Sequence, residues 1–175
     1  MDAARAELAD HGYREANTAR IATGAGVAHG TVFLHFPTRE ELLDGIVMAD
    51  GQADAAEVVP HLSGSPTLRA LLDLHLRQLD AHLPFARMLA RELPSLPAAL
   101  RARVLVVRTP LAEAMRLAIL RGQSAGQLRA GDPTTWLSFW FGAVERLLAH
   151  PDLFPPLAVR GPALRDGFLT LLECP

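Results

Sequence analysis

Between Asn17 and Arg39 the chain gathers short polar and cationic side chains, among them Asn17, Thr18, Arg20, His29, Thr31, His35 and Arg39. Each can hydrogen-bond a phosphate or a base edge. None belongs to a catalytic constellation, since the sequence offers no paired carboxylates, no nucleophile motif and no glycine-rich phosphate loop. The chemistry is recognition, and it needs a scaffold that turns several of these groups to one side. The interleaved small and apolar residues supply one. In NTARIATGAGVAHGTVFLHF, residues 17–36, Ile21 and Ala22 end the inner face of a short helix, and Ala22 is small enough for a second helix to cross close above it. Gly26 falls where the backbone must reverse and positive φ is tolerated. Val27 and Val32, with Ala25, are expected to face inward under a second helix from Ala28 to about Leu34. Ala28, His29, Thr31, Phe33 and His35 are then left on its outer surface or end. A helix-turn-helix has this layout, and an ordinary αα-hairpin with a glycine turn has a similar one.

The flanks narrow the choice. DAARAELADHGY reads as a helix closed by Gly12, and FPTREELLDGIV opens another with a capping box, Thr38 paired with Glu41. Three short helices thus lead into a long fourth. Asp2-Ala3-Ala4, Gly12-Tyr13, Ile21-Ala22, Ala25-Gly26-Val27, Gly30-Thr31, His35-Phe36-Pro37 and Glu41-Leu42-Leu43 resemble, in order and spacing, the N-terminal pattern of the TetR family of transcriptional regulators. The resemblance covers residues 1 to about 48. Further on, ILRGQSAGQLRAGDP is similar to that family's passage between its seventh and eighth helices.

The resemblance implies an all-α protein with a helix-turn-helix DNA-binding domain at 1–48 and a helical effector-binding and dimerisation domain at 49–175. It implies a backbone contact from Thr31, beside Gly30, with His35 just beyond it and Arg39 meeting phosphate from the fourth helix. His29 stands at a variable position that reads base edges or is merely solvated, Asn17 is the expected cap of the second helix, and Thr18 can reach a phosphate. Phe33 departs from the pattern, standing where the family has Tyr, so a hydroxyl-to-phosphate bond of roughly 1.5–3 kcal/mol is lost. Its ring can still pack on a sugar or a thymine methyl. The first helix is expected almost from Met1, without a basic arm ahead of it. Either the true start lies upstream or the affinity for DNA is low.

Composition sets bounds. The 175 residues carry a net charge of −2, and all 17 basic side chains are arginine. Residues 1–48 are themselves net acidic, so DNA binding must depend on Arg20, Arg39, His29 and His35 lying near one surface with most carboxylates elsewhere. No apolar run reaches the length of a membrane span and no signal-peptide pattern opens the chain, so a cytoplasmic protein is expected. Cys174, alone and next to last, permits no internal disulfide.

Strand-like alternation is absent, and about nine helices are expected. The fourth runs from Thr38 into the fifties, with Pro60 closing the connection, and Ser65-Pro66 caps and opens a fifth whose stripe is Leu68, Leu71, Leu72, Leu76, Leu79 and Leu83. His75 lies in that stripe with His82 seven residues on, a spacing that suits hydrogen-bonded core or pocket residues better than a metal pair lacking further ligands. A long seventh helix, about Ala98 to Gln123, should kink or restart at Thr109-Pro110. Asp132-Pro133 opens an eighth, TTWLSFWFGAVERLLAH, apolar round almost its whole circumference. Such a helix needs two burial partners, which points to a homodimer through the last two helices, aided by Gly142, Ala143 and Gly167, or to a fully buried central helix in a monomer.

These readings converge on a ligand-responsive repressor that binds a palindromic operator on double-stranded DNA as a homodimer, with no cofactor and no metal. Its effector is expected to be a small, mainly apolar molecule in a cavity lined by His75, His82, Met88, Val107, Phe139 and Trp140. The competing reading is a dimeric ligand-binding or interaction module of the same fold with weak or lost DNA affinity.

Overall fold

The computed structural model describes residues 1–174, with the backbone alone at Leu62 and Ser63. Ten α-helices make up the chain among these residues: α1 (Asp2–Glu15), α2 (Thr18–Ala25), α3 (His29–His35), α4 (Arg39–Ser63), α5 (Leu68–Ala81), α6 (Leu83–Glu92), α7 (Ala98–Val107), α8 (Thr109–Ser124), α9 (Pro133–Ala149) and α10 (Leu157–Leu172). A 3₁₀ turn, Leu93–Ser95, follows α6. The chain divides into two compact units, residues 1–53 with 82–107, and residues 54–81 with 108–175.

The first unit holds the helix-turn-helix. Asn17 caps α2 by accepting from the Ala19 N–H at 2.7 Å, and Gly26 ends it in the left-handed region (φ 67°), its N–H turned back to the carbonyls of Ala22 and Thr23. Thr38 caps α4 through the Glu41 N–H at 3.1 Å. Ile21, Ala22 and Val32 are buried together with Leu8, Leu42 and Ile46. Val27 and Ala25, expected inside, are exposed, Val27 to 44%. The left-handed turn at Gly26 resets the helical phase, so the inward face of α2 does not continue into the residues beyond it.

α1 does not end at Gly12 but breaks there (φ 78°, ψ 170°) and resumes to Glu15. The Glu92 carboxylate at the end of α6 stands at the break. It accepts the Tyr13 N–H at 2.9 Å, and a Cβ on Gly12 would lie 2.4 Å from its Oε1. Phe85 and Met88 of α6, Leu96 after the 3₁₀ turn and Leu100 of α7 complete this unit's core.

In the second unit, the expected cap of α5 shifts. Thr67, not Ser65, accepts from the Ala70 N–H (3.2 Å), while Ser65 sits at φ 48°. Pro60 falls inside α4 rather than closing it. The long seventh helix is two helices, with Arg108 between them and Pro110 in the first turn of α8, where its missing N–H costs nothing. Leu83 begins α6 instead of ending the stripe of α5, and Leu74 is buried in α5. Asp132 caps α9 by accepting from the N–H groups of Thr134 and Thr135 at 3.2 and 3.1 Å. Trp140 of α9 is the central side chain, its ring 5.5 Å from that of Phe168 on α10. No helix among the described residues is long and apolar enough to cross a membrane.

Candidate nucleic-acid interface and effector site

Because α3 buries Val32 alone, His29, Gly30, Thr31, Phe33, Leu34 and His35 all remain exposed. The structure brings Thr18 and His29 together. The Thr18 hydroxyl and His29 Nε2 lie 2.9 Å apart, tying the start of α2 to the start of α3. Asn17 faces inward through its backbone, whose N–H donates to Glu7 at 2.9 Å. His35 lies at the end of α3 with its ring 6.5 Å from Phe36.

The two arginines are each engaged within the protein. Arg20 turns its guanidinium onto Glu7 (Nε to Oε1 2.8 Å) and the Glu15 carbonyl (2.8 Å) instead of standing clear for phosphate. Glu7 is buried, and the Arg20 guanidinium, then the Asn17 N–H, hold its carboxyl below the usual range against the opposing effect of burial. Arg39 donates to the carbonyl of Arg14. The excess of carboxylates is partly cancelled within this unit: Asp2 pairs with Arg5, Glu7 with Arg20 and Asp44 with Arg103. Sequence reasoning missed Glu7 as the anchor of this face and missed Leu34, 78% exposed. Leu34 was legible in principle, since it stands two positions after the buried Val32 and so on the far side of the helix.

The six residues expected to line an effector cavity do not share one unit. His82, Met88 and Val107 fall in the first, and His75, Phe139 and Trp140 in the second. Met88 is fully buried, Val107 packs against the first unit's core, and His82 is exposed as the residue before α6. Phe139 is 60% exposed. His75 and Trp140 do meet: the indole N–H donates to Nδ1 of His75 at 3.0 Å, and Phe141 lies edge-on to the imidazole at 5.2 Å. Accepting at Nδ1 leaves the hydrogen of neutral His75 on Nε2. Burial, reinforced by the nearby Arg108 charge, pushes its pKa down to about 3. In the same unit an open groove of about 370 Å³ runs between α5 and α10, lined by Asp73, Leu76, Arg77, Asp80, Leu157 and Pro162.

Residues 1–46, which form the turn, the exposed helix and its supports, match the family model of the bacterial regulatory proteins, tetR family. Over these residues the chain has the N-terminal region of the TetR family of transcriptional regulators. It is 27% identical over 135 residues to the HTH-type transcriptional repressor AcnR of Corynebacterium glutamicum, spanning 76% of this chain and 69% of that protein. It is 42% identical over 43 residues to the fatty acid metabolism regulator protein of Bacillus subtilis, a match covering 25% of this chain and 22% of the relative. The fold is similar to the crystal structure of the transcriptional regulator FadR from Bacillus subtilis in complex with stearoyl-CoA, with a TM-score of 0.81, 19% identity, and coverage of 98% of this chain and 97% of the other.

Proposed function

We propose that this chain is a TetR-family regulator, a homodimeric repressor acting in the cytoplasm that binds an inverted-repeat operator and is released by a small apolar effector. Residues 1–48 would carry the DNA contacts and 49–175 the effector site and dimer face, with α6 and α7 bracing the former. The observation that carries the reading is α3, whose side chains other than Val32 all face solvent on a turn that matches the family. Asn17, Thr18, Thr31, His35 and Arg39 position the backbone, while His29 and Phe33 face the bases.

The dimer rests on a second observation. Phe139 of α9 and Val159 and Leu171 of α10 are each about two-thirds exposed (60%, 66% and 64%), and Gly142 and Gly167 have open space where a side chain would be. Glycine inside a helix costs about 0.5–1 kcal/mol relative to alanine, and neither position has a neighbour among the described residues that excludes a methyl group. A second copy packed on this face accounts for both.

For the effector, the support is the relatives named for fatty acid metabolism and for a stearoyl-CoA complex. A long acyl chain or acyl-CoA is therefore the first molecule to test. The test is fluorescence anisotropy of the full chain on DNA from its own promoter region, with and without acyl-CoA. Salt-dependent binding that acyl-CoA weakens supports the proposal. Binding to no promoter fragment favours the second reading, a ligand-binding module with lost DNA affinity, which the engagement of Arg20 by Glu7 and the missing hydroxyl at Phe33 support.

A further inference from the structure

We propose that Leu34 reads a thymine methyl group in each operator half-site, making it a specificity-determining residue; this rests on the repressor reading above. Leu34 is the most exposed large apolar side chain among the described residues, at 78%, and Phe33 beside it is 55% exposed. The exposure is a property of the fold: α3 buries its inner face with Val32, and Leu34 points away from it.

Its place on the helix gives it access. Leu34 stands one turn after Gly30 and Thr31 on the same face, and helical side chains lean toward the N-terminus, so Leu34 leans over the stretch that Gly30 leaves bare. A Cβ on Gly30 would meet nothing within 4 Å among the described residues, so no packing within the chain requires glycine there. Without that side chain the backbone approaches a groove wall closely, and the next group to reach the base edges is the Leu34 isobutyl.

The chemistry of α3 then selects the base. Its seven residues, HGTVFLH, contain no Arg, Lys, Asn or Gln, the residues that read guanine and adenine bidentately. One imidazole, that of His29, is bonded to Thr18. Among base edges in the major groove the C5 methyl of thymine is the apolar group, and it is the match for an exposed leucine.

The experiment enriches binding sequences from a random double-stranded pool with the full chain. The best sequence is then resynthesised with deoxyuridine replacing each thymidine in turn, which removes the methyl and keeps every hydrogen bond. One symmetric pair of substitutions is expected to weaken wild type by about fourfold per methyl, about fifteenfold for both half-sites. Leu34→Ala, at an exposed helix position that tolerates alanine, should bind the two DNAs equally. Deoxyuridine without effect at every position, or a Leu34→Ala variant as sensitive as wild type, overturns the assignment while the repressor reading stands. A pool that yields no enriched sequence removes the repressor reading and this inference with it.

Discussion

The indole N–H of Trp140 donates to Nδ1 of His75 across 65 residues of sequence, and the bond lies wholly inside the second unit. It requires a neutral imidazole, because a protonated ring has no acceptor to offer. His75 has a folded pKa of about 3 against 6.5 when unfolded, so below pH 6.5 the unfolded chain takes up a proton that the folded chain refuses. The stability tied to neutral His75 is therefore complete above pH 6.5 and is lost progressively as pH falls toward 3, by up to about 1.4 kcal/mol per pH unit. Urea unfolding at pH 7.5 and 5.5 should show this loss in wild type and a shallower one in His75→Gln. Equal slopes would contradict it. Trp140→Phe should cost about 1–3 kcal/mol at neutral pH, since it orphans a buried acceptor.

Glu7 acts in the opposite sense. Its folded pKa is lowered, so its contribution is present above the ordinary carboxylate value of 4.5 and disappears as pH falls through the lower folded value. Glu7→Gln keeps the shape but loses the charge that holds the Asn17 N–H and Arg20. Thermal melts at pH 7 should show a loss of about 1–3 kcal/mol, shrinking below pH 4.

At the joint between Gly12 and Glu92, a side chain on Gly12 would meet both a left-handed backbone and the Glu92 carboxylate. Gly12→Ala imposes strain at φ 78° and sets a methyl 2.4 Å from the Glu92 carboxylate, which should destabilise the protein by about 1–3 kcal/mol. Because Glu92 also accepts the Tyr13 N–H, the clash is isolated in the Glu92→Ala background, where Gly12→Ala should cost less than in wild type and leave only the backbone strain. No cost at all in that background would show that the strain assigned to the backbone is absent.

The open glycines on α9 and α10 make a two-signed test of the dimer. Gly142→Ala should raise helix stability by about 0.5–1 kcal/mol while weakening self-association, and Phe139→Glu should weaken association far more. Sedimentation equilibrium reads the second effect and urea unfolding at fixed protein concentration the first. A monomeric wild type at micromolar concentration would end the dimer proposal.

On DNA, log affinity should fall by about 0.9 per phosphate neutralised for each tenfold rise in salt. Thr31→Ala and Arg39→Ala should weaken all sequences alike, and Phe33→Tyr should tighten binding if a hydroxyl limits affinity. Anisotropy titrations on operator and scrambled DNA separate uniform loss from altered preference.

Features set by neighbouring residues were legible in the sequence. The caps at Asn17, Thr38 and Asp132, the reversal at Gly26 and the restart before Pro110 each depend on atoms within about a turn of helix. The choice of Thr67 over Ser65 was not, because three residues held two hydroxyls and the decision lay in where α5 begins. Val27 was misplaced by carrying one helical phase through a left-handed turn. His75 among leucines announced a hydrogen-bonded histidine but not its partner, and nothing near Tyr13 announced Glu92, because those partners lie 65 and 79 residues away.

The Tyr13–Glu92 bond also bears on the protein's birth. α1 leaves the ribosome before α6 and α7, yet the groups that cover it and hold its break lie on those later helices, and the first unit closes only with residue 107. At synthesis rates of about 5–20 residues per second, the nascent helix-turn-helix waits several seconds with part of its core uncovered. Ribosome-bound chains stalled before α7 has emerged should be cut readily within α1–α4 by protease, and those stalled after it should resist.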